Sequence, residues 1–190
     1  MSRYMHPDKR SVAAVIVTFN NAGMLEALLA DLSVQTRRPD EVIVVDNSAG
    51  AAALPAAGRP DIAVSYLRLP GNLGSAGGYA AGMREAAGRH DLVWLLDDDV
   101  RLPQDSLQAL LTGYDHVPQH CRLVALRSWC GAHAPFSGLR ETASFAWRGT
   151  LIASEVIRAL GLPRQEYFLY ADDADYSLRM RRAGYRIFWV

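Results

Sequence analysis

The first half of the chain alternates between short apolar runs and longer amphipathic stretches. Val12–Thr18 and Glu41–Val45 are continuous runs rich in β-branched residues, which is typical of strands buried on both faces of a sheet. Between them, leucines recur at three- and four-residue steps from Met24 to Leu32, which predicts one buried face of a helix. A strand, a helix and a second strand in this order predict a βαβ unit with parallel strands.

The same pattern recurs less regularly toward the middle of the chain. The residues from Ile62 to Leu69 alternate like a third strand, and Asp91–Leu96 is a fourth apolar run. Between them, the glycine-rich stretch from Gly71 to Gly78 predicts a turn, and a helix is predicted from Tyr79 to Ala87. We therefore predict an α/β fold of the Rossmann-like type, with an open, mostly parallel sheet flanked by helices.

The second half of the chain is less periodic, and its elements are predicted from shorter patterns. Predicted strands are Arg122–Ser128, Ser144–Ile152 and Arg186–Val190. Predicted helices are Ser106–Leu111, a short helix ending at Leu160, and Tyr176–Arg182.

Composition narrows the classes of function. The 190 residues include 20 basic and 20 acidic side chains, so we expect no nucleic-acid partner. Cys121 and Cys130 are too few for a disulfide scaffold and fit a reducing cytoplasm. No apolar run approaches the ~20 residues of a membrane span. We expect a cytoplasmic protein, with peripheral association at the inner face of the cell membrane left open.

Polar clusters follow four of the predicted elements, in places where a parallel sheet would bring them together. The clusters are Thr18–Asn20, Asp46–Ser48, Asn72–Gly78 and Asp97–Asp99. In an open parallel sheet, ligands bind beyond the carboxyl ends of the strands. Loops are polar in any protein, so one cluster alone would be weak evidence. Four clusters in register predict a ligand site at this edge of the sheet.

Asp97, Asp98 and Asp99 are three adjacent carboxylates directly behind an apolar strand. They repel one another, and a bound cation would compensate that repulsion. Because alternate side chains of an extended segment point the same way, Asp97 and Asp99 can face one ion. Their oxygen atoms suit Mg²⁺ or Mn²⁺ shared with a substrate phosphate. The alternative is a solvated acidic turn or a helix cap.

A second acidic cluster, Asp172, Asp173 and Asp175, precedes the predicted helix near the end of the chain. One carboxylate suffices to cap a helix, and Asp175 is the default candidate for the cap. The other two exceed that need. A carboxylate held in a cleft is a suitable general base for a sugar hydroxyl.

Other candidate sites have weaker support. The Gly71 to Gly78 stretch lets backbone approach an anion, but it matches neither a dinucleotide-binding fingerprint nor a P-loop. Trp129 and Trp147 are candidates for stacking on a sugar ring, although core packing is the more ordinary role. A zinc site is conceivable, but the spacing of its candidate ligands matches no common zinc finger. Those candidates are His116, His120, Cys121, Cys130 and His133.

Five motifs occur along the chain in a family-specific order. They are Val15–Asn20 (VIVTFN), Pro39–Ser48 (PDEVIVVDNS), Asn72–Gly78 (NLGSAGG), Leu95–Asp99 (LLDDD) and Asp172–Arg179 (DDADYSLR). Together they resemble the inverting GT-A glycosyltransferases of family two, in particular the galactofuranosyltransferase and rhamnosyltransferase branch. The resemblance covers residues 12–190. It implies a hexosyl- or deoxyhexosyltransferase of cell envelope polysaccharide biosynthesis. Such an enzyme would move a sugar from a UDP- or dTDP-linked donor to a hydroxyl of a glycan or lipid-linked acceptor.

The resemblance also implies roles for individual residues. Thr18 and Asp46 would contact the nucleotide base, and Asp99, with Asp97, would hold the Mn²⁺ or Mg²⁺ that bridges the diphosphate. Asp173 would be the general base, with Asp172 as the alternative. The complete set of predicted donor nucleotide-binding residues is Thr18, Asn20, Asp46, Asn47, Asn72, Gly74, Gly77, Gly78, Asp97 and Asp98.

The resemblance divides the chain into three parts. Residues 1–10 would be an N-terminal tail, residues 11–100 the nucleotide-sugar-binding α/β half, and residues 101–190 the acceptor-side half of the same domain. In this family a metal-binding histidine often follows the base, which here would place it beyond Val190. We therefore expect the acceptor-side half to be truncated at its C-terminus.

Three alternatives come from other classes of protein. A nucleotidylyltransferase would share the sheet and the metal-binding acids, but its basic glycine-rich signature near the N-terminus is absent from this sequence. A sugar-nucleotide-binding module without transferase activity would lack the base, whereas Asp173 is present. A flavodoxin-like or response-regulator module would leave the second acidic cluster without a role.

Overall fold

The computed structural model describes residues 10–48, 61–117, 123–127 and 138–190, with the backbone alone for residues 123–127. Its helices are α1 (Ala22–Ser33), α2 (Gly74–Ala87), α3 (Ser106–His116), α4 (Ser154–Leu160) and α5 (Asp172–Arg182), with a short 3-10 helix over Gln165–Tyr167. Its strands are β1 (Val12–Thr18), β2 (Glu41–Asp46), β3 (Val64–Arg68), β4 (Leu92–Asp97), β5 (Leu123–Arg127), β6 (Arg140–Thr142), β7 (Thr150–Ala153) and β8 (Arg186–Trp189).

The strands of the described residues form one sheet in the order β3-β2-β1-β4-β7-β5-β8-β6. β1 pairs in parallel with β2 and β4, and its register sets Thr18 opposite Asp46 and Val17 opposite Asp97. β7 runs antiparallel to both β4 and β5. The predicted α/β fold, with an open, mostly parallel sheet flanked by helices, is confirmed. The carboxyl ends of β1, β2 and β4 lie side by side.

The central strands are buried because helices cover the sheet. The apolar face of α1 consists of fully buried leucines at helical spacing, as the sequence pattern predicts: Leu25, Leu28, Leu29 and Leu32. Every apolar residue of β2 and of β4 is buried as well. Among the described residues, no helix is both long enough and apolar enough to cross a membrane.

The glycine-rich stretch is mostly helix, and the prediction of a turn from Gly71 to Gly78 is wrong in that respect. Helix α2 begins at Gly74 rather than at Tyr79. A Cβ atom at Gly78 would lie 2.5 Å from Cγ1 of Val17, and one at Gly82 would lie 2.3 Å from Cγ1 of Val15. These glycines therefore let the helix backbone approach β1 more closely than any side chain permits.

The prediction of a single strand over Ser144–Ile152 is also wrong, because β7 begins only at Thr150. The preceding residues are irregular and contribute two buried rings, Phe145 and Trp147, to an aromatic cluster. The ring of Trp147 lies 5.0 Å from that of Tyr79 and 5.5 Å from that of Tyr176. Burial of these rings in the core determines the backbone path here. Trp147 therefore packs in the core, while stacking on a sugar ring stays a prediction because the residue also borders the cavity described below. Trp129 lies outside the described residues.

The close approach of α2 to β1 generates a prediction about stability. Replacing Gly82 by alanine forces the new methyl group against Val15, and we expect a loss of ~1–3 kcal/mol in the free energy of unfolding. The matched control is Gly23→Ala in α1, where nothing lies within 4 Å of the added Cβ. The control variant should be unchanged or more stable by up to ~1 kcal/mol. Urea denaturation followed by circular dichroism measures both, and equal effects would contradict the packing argument.

Candidate active site

The strand ends open into a cavity of about 620 Å³. Of the residues predicted for the site, those that line the cavity are Thr18, Asn47, Asn72, Gly74, Asp97, Asp98, Asp99, Asp172 and Asp173. The two acidic clusters, distant in sequence, therefore face one space. A cavity of this size is typical of a small-molecule site.

Asp98 fastens the end of β4 to the end of β1. Its Oδ2 accepts a hydrogen bond of 2.6 Å from the Thr18 hydroxyl, and its Oδ1 accepts one of 3.1 Å from Nδ2 of Asn21. Both carboxylate oxygens thus have protein donors. The carboxylate of Asp98 therefore holds the end of β4 in place. The carboxylates of Asp97 and Asp99, on either side of Asp98, face a different side-chain group.

That group is Arg148, a cavity residue that the sequence analysis missed. Its Nε lies 3.6 Å from Oδ2 of Asp97, and its Nη2 lies 3.5 Å from Oδ1 of Asp99. Tyr79 donates a hydrogen bond of 2.6 Å to the other oxygen of Asp97. Burial raises the pKa of Asp97, and the hydrogen bond from Tyr79 opposes that rise. An arginine within an aromatic segment belongs to no recognisable motif, so sequence patterns did not indicate a role for it.

Asp97 and Asp99 fit a divalent cation, because one oxygen atom of each already faces the same cationic group. Within the described parts of the chain, no group of three or more His, Cys, Asp or Glu side chains is arranged to hold a metal ion. Phosphate and water oxygen atoms could complete the coordination of an ion held by this pair. Mg²⁺ and Mn²⁺ sites that share a substrate phosphate have this character.

The start of α2 is fixed by polar contacts with the end of β2. Asn47 donates a hydrogen bond of 2.9 Å from Nδ2 to the Gly74 carbonyl oxygen, and its Oδ1 accepts one of 3.2 Å from the Leu73 amide. Gly74 has a φ of 69°, and a Cβ atom there would lie 2.0 Å from the Phe168 carbonyl oxygen. Only glycine fits, and it lets the segment before α5 pack against the first turn of α2.

That segment, Phe168–Ala171, forms a wall of the cavity. The Phe168 carbonyl oxygen accepts a hydrogen bond of 3.0 Å from the Ala76 amide of α2. Phe168 and Ala171 adopt φ values of 58° and 65°, which side-chain-bearing residues seldom do. Tyr170 is 80% exposed at the cavity rim.

Asp172 and Asp173 begin α5, and their surroundings differ. Asp172 is buried, and its Oδ2 accepts hydrogen bonds of 2.9 Å from the Ser75 hydroxyl and 2.8 Å from the Trp147 indole nitrogen. Asp173 is half-buried at the cavity surface. Asp172 therefore joins α5 to α2 and the aromatic cluster, whereas Asp173 faces the cavity.

Asp175 is not the cap of this helix, contrary to the prediction. The cap position is Ala171, which forms no side-chain hydrogen bond, and Asp175 lies within the first turn. Its carboxylate pairs with Arg164 at 3.3 Å and with Arg179 at 3.6 Å. Because the helix begins at Asp172, Asp175 is placed one turn before Arg179, where an ion pair along the helix is favourable.

Four predicted nucleotide-binding residues do not line the cavity. Asp46 is fully buried, and its carboxylate accepts hydrogen bonds from the Ser48 amide at 2.9 Å and from Nε of Arg68 at 3.1 Å. The backbone amide of Asn20 donates a hydrogen bond of 2.9 Å to the Ser48 hydroxyl oxygen. Asp46 and Asn20 thus shape the ends of β2 and β1 respectively.

The other two are Gly77 and Gly78 of α2. A Cβ atom at Gly77 would lie 2.4 Å from Cβ of Leu73, and one at Gly78 would lie 3.0 Å from Nδ2 of Asn47. Both glycines are buried. In this structure they allow close packing around the start of the helix.

The zinc candidates lie mainly outside the described residues. His120, Cys121, Cys130 and His133 are among the residues not described, so the zinc alternative stays untested. Nδ1 of His116 forms a hydrogen bond of 2.7 Å with the Thr112 carbonyl oxygen, within α3.

The family of the chain follows from comparison with known proteins. The model of the family described as "Glycosyl transferase family 2" matches residues 13–128. The chain belongs to this family. Galactofuranosyltransferase GlfT1 of Mycobacterium tuberculosis is 32% identical over an alignment of 201 positions. The alignment covers 92% of this chain and 66% of that protein. The uncharacterized glycosyltransferase YwdF of Bacillus subtilis is 38% identical over 89 residues, 46% of this chain and 32% of that protein.

Solved structures agree with the GT-A fold. The mannosyltransferase PcManGT from Pyrobaculum calidifontis, in complex with GDP-Man and Mn²⁺, has a TM-score of 0.70 and 19% identity, covering 97% of this chain and 58% of that one. TarS 1-349 of S. aureus, in complex with UDP, has a TM-score of 0.69 and 16% identity, covering 95% of this chain and 57% of that one. The chain spans 66% of the length of the GlfT1 relative and less of these structures.

The contrast between the two carboxylates at the start of α5 generates a prediction. Asp172→Ala leaves the buried indole N–H of Trp147 without its acceptor, and we expect a loss of ~1–3 kcal/mol in the free energy of unfolding. Asp173→Ala is the matched control, because both residues lie in the same helical turn and lose the same interaction with the helix dipole. The Asp173→Ala variant should lose clearly less free energy of unfolding than Asp172→Ala. Denaturant titration measures both, and an equal or reversed order would contradict the structural role of Asp172.

Proposed function

We propose that this domain binds a nucleoside-diphosphate sugar and transfers its sugar, with inversion, to a hydroxyl group of a glycan or lipid-linked acceptor. One observation carries the proposal. Asp97 and Asp99 approach the cavity from the end of β4, and Asp173 approaches it from α5. The same cavity thus brings together a candidate cation-binding pair and a candidate general base, the two kinds of group that this transfer would use.

The charge of the cavity supports a donor that arrives with a divalent cation. Five carboxylates line it, those of Asp97, Asp98, Asp99, Asp172 and Asp173, against the single guanidinium of Arg148. A diphosphate would be repelled by such a surface. Asp97 and Asp99 would hold Mn²⁺ or Mg²⁺, which when bound stabilises negative charge on the departing nucleoside diphosphate.

The remaining residues near β4 hold this pair in position. The Tyr79 hydroxyl donates to Asp97, and burial together with the nearby charge of Asp97 raises the pKa of Tyr79, so that the hydroxyl keeps its proton. Thr18 and Asn21 hold Asp98 and thereby the turn that carries Asp99. These contacts orient the carboxylates before any ligand binds, which lowers the entropic cost of binding.

The surroundings of the two carboxylates on α5 support Asp173 as the base. Asp172 is buried and already accepts two hydrogen bonds. Asp173 lies at the cavity surface, where an acceptor hydroxyl can reach it. Asp173 would take the hydroxyl proton as the oxygen forms its bond to the anomeric carbon of the donor. The bond to the diphosphate breaks on the opposite face, and the configuration at that carbon inverts.

The class of donor and acceptor is supported by the relatives and by the cavity rim. The Mycobacterium tuberculosis relative is named a galactofuranosyltransferase, and the TarS structure contains UDP. A UDP- or dTDP-linked hexose or deoxyhexose is therefore the proposed donor. The exposed apolar rim of Phe168, Leu169 and Tyr170 suits an acceptor with an apolar part. A cytoplasmic location at the inner face of the membrane, in cell envelope polysaccharide synthesis, would match such an acceptor.

Metal-dependent nucleotide binding is the first test of this proposal. UDP or dTDP should bind in the presence of Mn²⁺, and Asp99→Asn should weaken that binding by about tenfold or more because it removes a charged metal ligand. Isothermal titration calorimetry with and without a chelator measures the effect. Asp105→Asn, at the start of α3, is a matched control that should bind normally. If neither the chelator nor the Asp99 substitution changes the affinity for UDP or dTDP, the metal assignment is refuted.

The second test separates donor binding from transfer. Asp173→Asn should leave the affinity for the donor nucleotide nearly unchanged and slow transfer by ~10²-fold or more, the usual scale for a lost general base. Incorporation of labelled sugar into a lipid-linked or oligosaccharide acceptor measures the rate. Asp172→Asn keeps an oxygen acceptor for Trp147 and should slow transfer less. If the order is reversed, Asp172 is the base. If the wild-type protein and both variants bind the donor but none of them transfers the sugar, a sugar-nucleotide-binding module is favoured instead.

A further inference from the structure

The pairing of Arg148 with the proposed metal ligands is unusual in its geometry. Its side chain is 49% exposed and reaches into the cavity, and its two contacts go to the two carboxylates that flank Asp98. The backbone beside it is fixed, because the Gly149 amide donates a hydrogen bond of 2.9 Å to the Leu95 carbonyl oxygen of β4. The backbone next to Arg148 is thus tied to the strand that carries the proposed cation site, and the side chain reaches the two carboxylates from there.

The contacts of Arg148 are loose. Its nitrogen atoms lie 3.6 and 3.5 Å from the carboxylate oxygen atoms. Charge-assisted hydrogen bonds between such groups are typically about 2.8 Å long. An exposed ion pair at the longer distance stabilises the protein little. Arg148 therefore neutralises Asp97 and Asp99 without being bound tightly, and a stronger cation can displace it.

Displacement leaves the guanidinium without a partner unless a new anion is present. Arg148 is the one cationic side chain among the described residues that line the cavity. A diphosphate that entered beside the cation would offer oxygen atoms within reach of the same flexible side chain. Guanidinium groups bind phosphate in a two-pronged geometry that matches their planar fork.

We propose that Arg148 is an exchangeable counter-ion. Without donor it pairs with Asp97 and Asp99 and competes with the divalent cation, and with donor it moves to the diphosphate while the cation takes its place. This inference rests on the proposed function, since it requires metal-dependent nucleotide binding. No covalent step is involved, and charge is conserved in the exchange.

One consequence is that the metal ion and the nucleotide bind cooperatively. The ion alone must displace Arg148 from its carboxylates with no compensation for the guanidinium. With the diphosphate present, Arg148 gains a new partner, so each ligand increases the affinity for the other. Removing the charge of Arg148 should therefore raise the affinity for the ion alone and lower the affinity for the nucleotide. Loss of an arginine with a merely structural role would not change the two affinities in opposite directions.

The test substitutes Arg148→Gln, which removes the charge and keeps a polar side chain. Binding of Mn²⁺ alone, followed by the electron paramagnetic resonance signal of the free ion, should tighten by about threefold or more because a competing cation is gone. Binding of UDP or dTDP at saturating Mn²⁺, followed by calorimetry, should weaken by about tenfold because a charged partner of the diphosphate is lost.

Two further variants sharpen the comparison. Arg148→Lys keeps the charge but cannot span both carboxylates, and it should lie between wild type and Arg148→Gln in both measurements. Arg164→Gln is the matched control, because Arg164 is similarly exposed and pairs with Asp175 outside the cavity. The control should leave both affinities unchanged.

The outcomes separate the two proposals. If the wild-type protein fails to bind UDP or dTDP with Mn²⁺, the proposed function is wrong. If the wild type binds and Arg148→Gln weakens both affinities, strengthens both or changes neither, the counter-ion exchange is wrong. Tighter Mn²⁺ binding together with weaker nucleotide binding, both absent from Arg164→Gln, supports it, and any other combination contradicts it.

Discussion

Helix α2 lies against β1 at a distance that only glycine permits, and several of the contacts that shape the cavity begin on this helix. Gly78 and Gly82 bring its backbone onto the side chains of β1. From that position Tyr79 reaches Asp97 at the end of β4, and Ser75 reaches Asp172 at the start of α5. A larger residue at either glycine would move every one of these contacts together, so the geometry of the site depends on this single packing interface.

The second organising constraint is the excess of negative charge. Carboxylates from β4 and α5 meet in one cavity, and each is balanced differently. Asp98 is balanced by hydrogen bonds from side chains, Asp172 by buried donors, and Asp97 with Asp99 by Arg148. The carboxylates whose donors are supplied by the fold are positioning groups. The pair whose partner is an exposed charge, that of Arg148, is the one that we propose exchanges this partner for a ligand.

Sequence reasoning predicted the parts of this protein that periodicity controls. The buried runs of β1, β2 and β4 and the leucine face of α1 follow from local patterns, and so does the meeting of their carboxyl ends at one edge. It failed where tertiary packing overrides local preference. Glycine suggests a turn, yet Gly78 lies inside a helix. A glycine is needed at this helical position because Val17 leaves no room for a Cβ. Asp97 and Asp99 could be proposed from sequence, whereas Arg148 could not, since its role arises only from its position in space.

The wall formed by Phe168–Ala171 has a consequence for how the domain opens. Two residues with side chains in the left-handed region cost about 1–2 kcal/mol each, and such conformations persist only where surrounding contacts impose them. Here those contacts come from α2, through the Ala76 amide and the Ser75 hydroxyl, the latter 94 positions away from its partner carbonyl in the sequence. If α2 loosens, this segment loses the contacts that impose its conformation and relaxes as well. The two walls of the cavity built by α2 and by Phe168–Ala171 therefore form one cooperative unit of local unfolding.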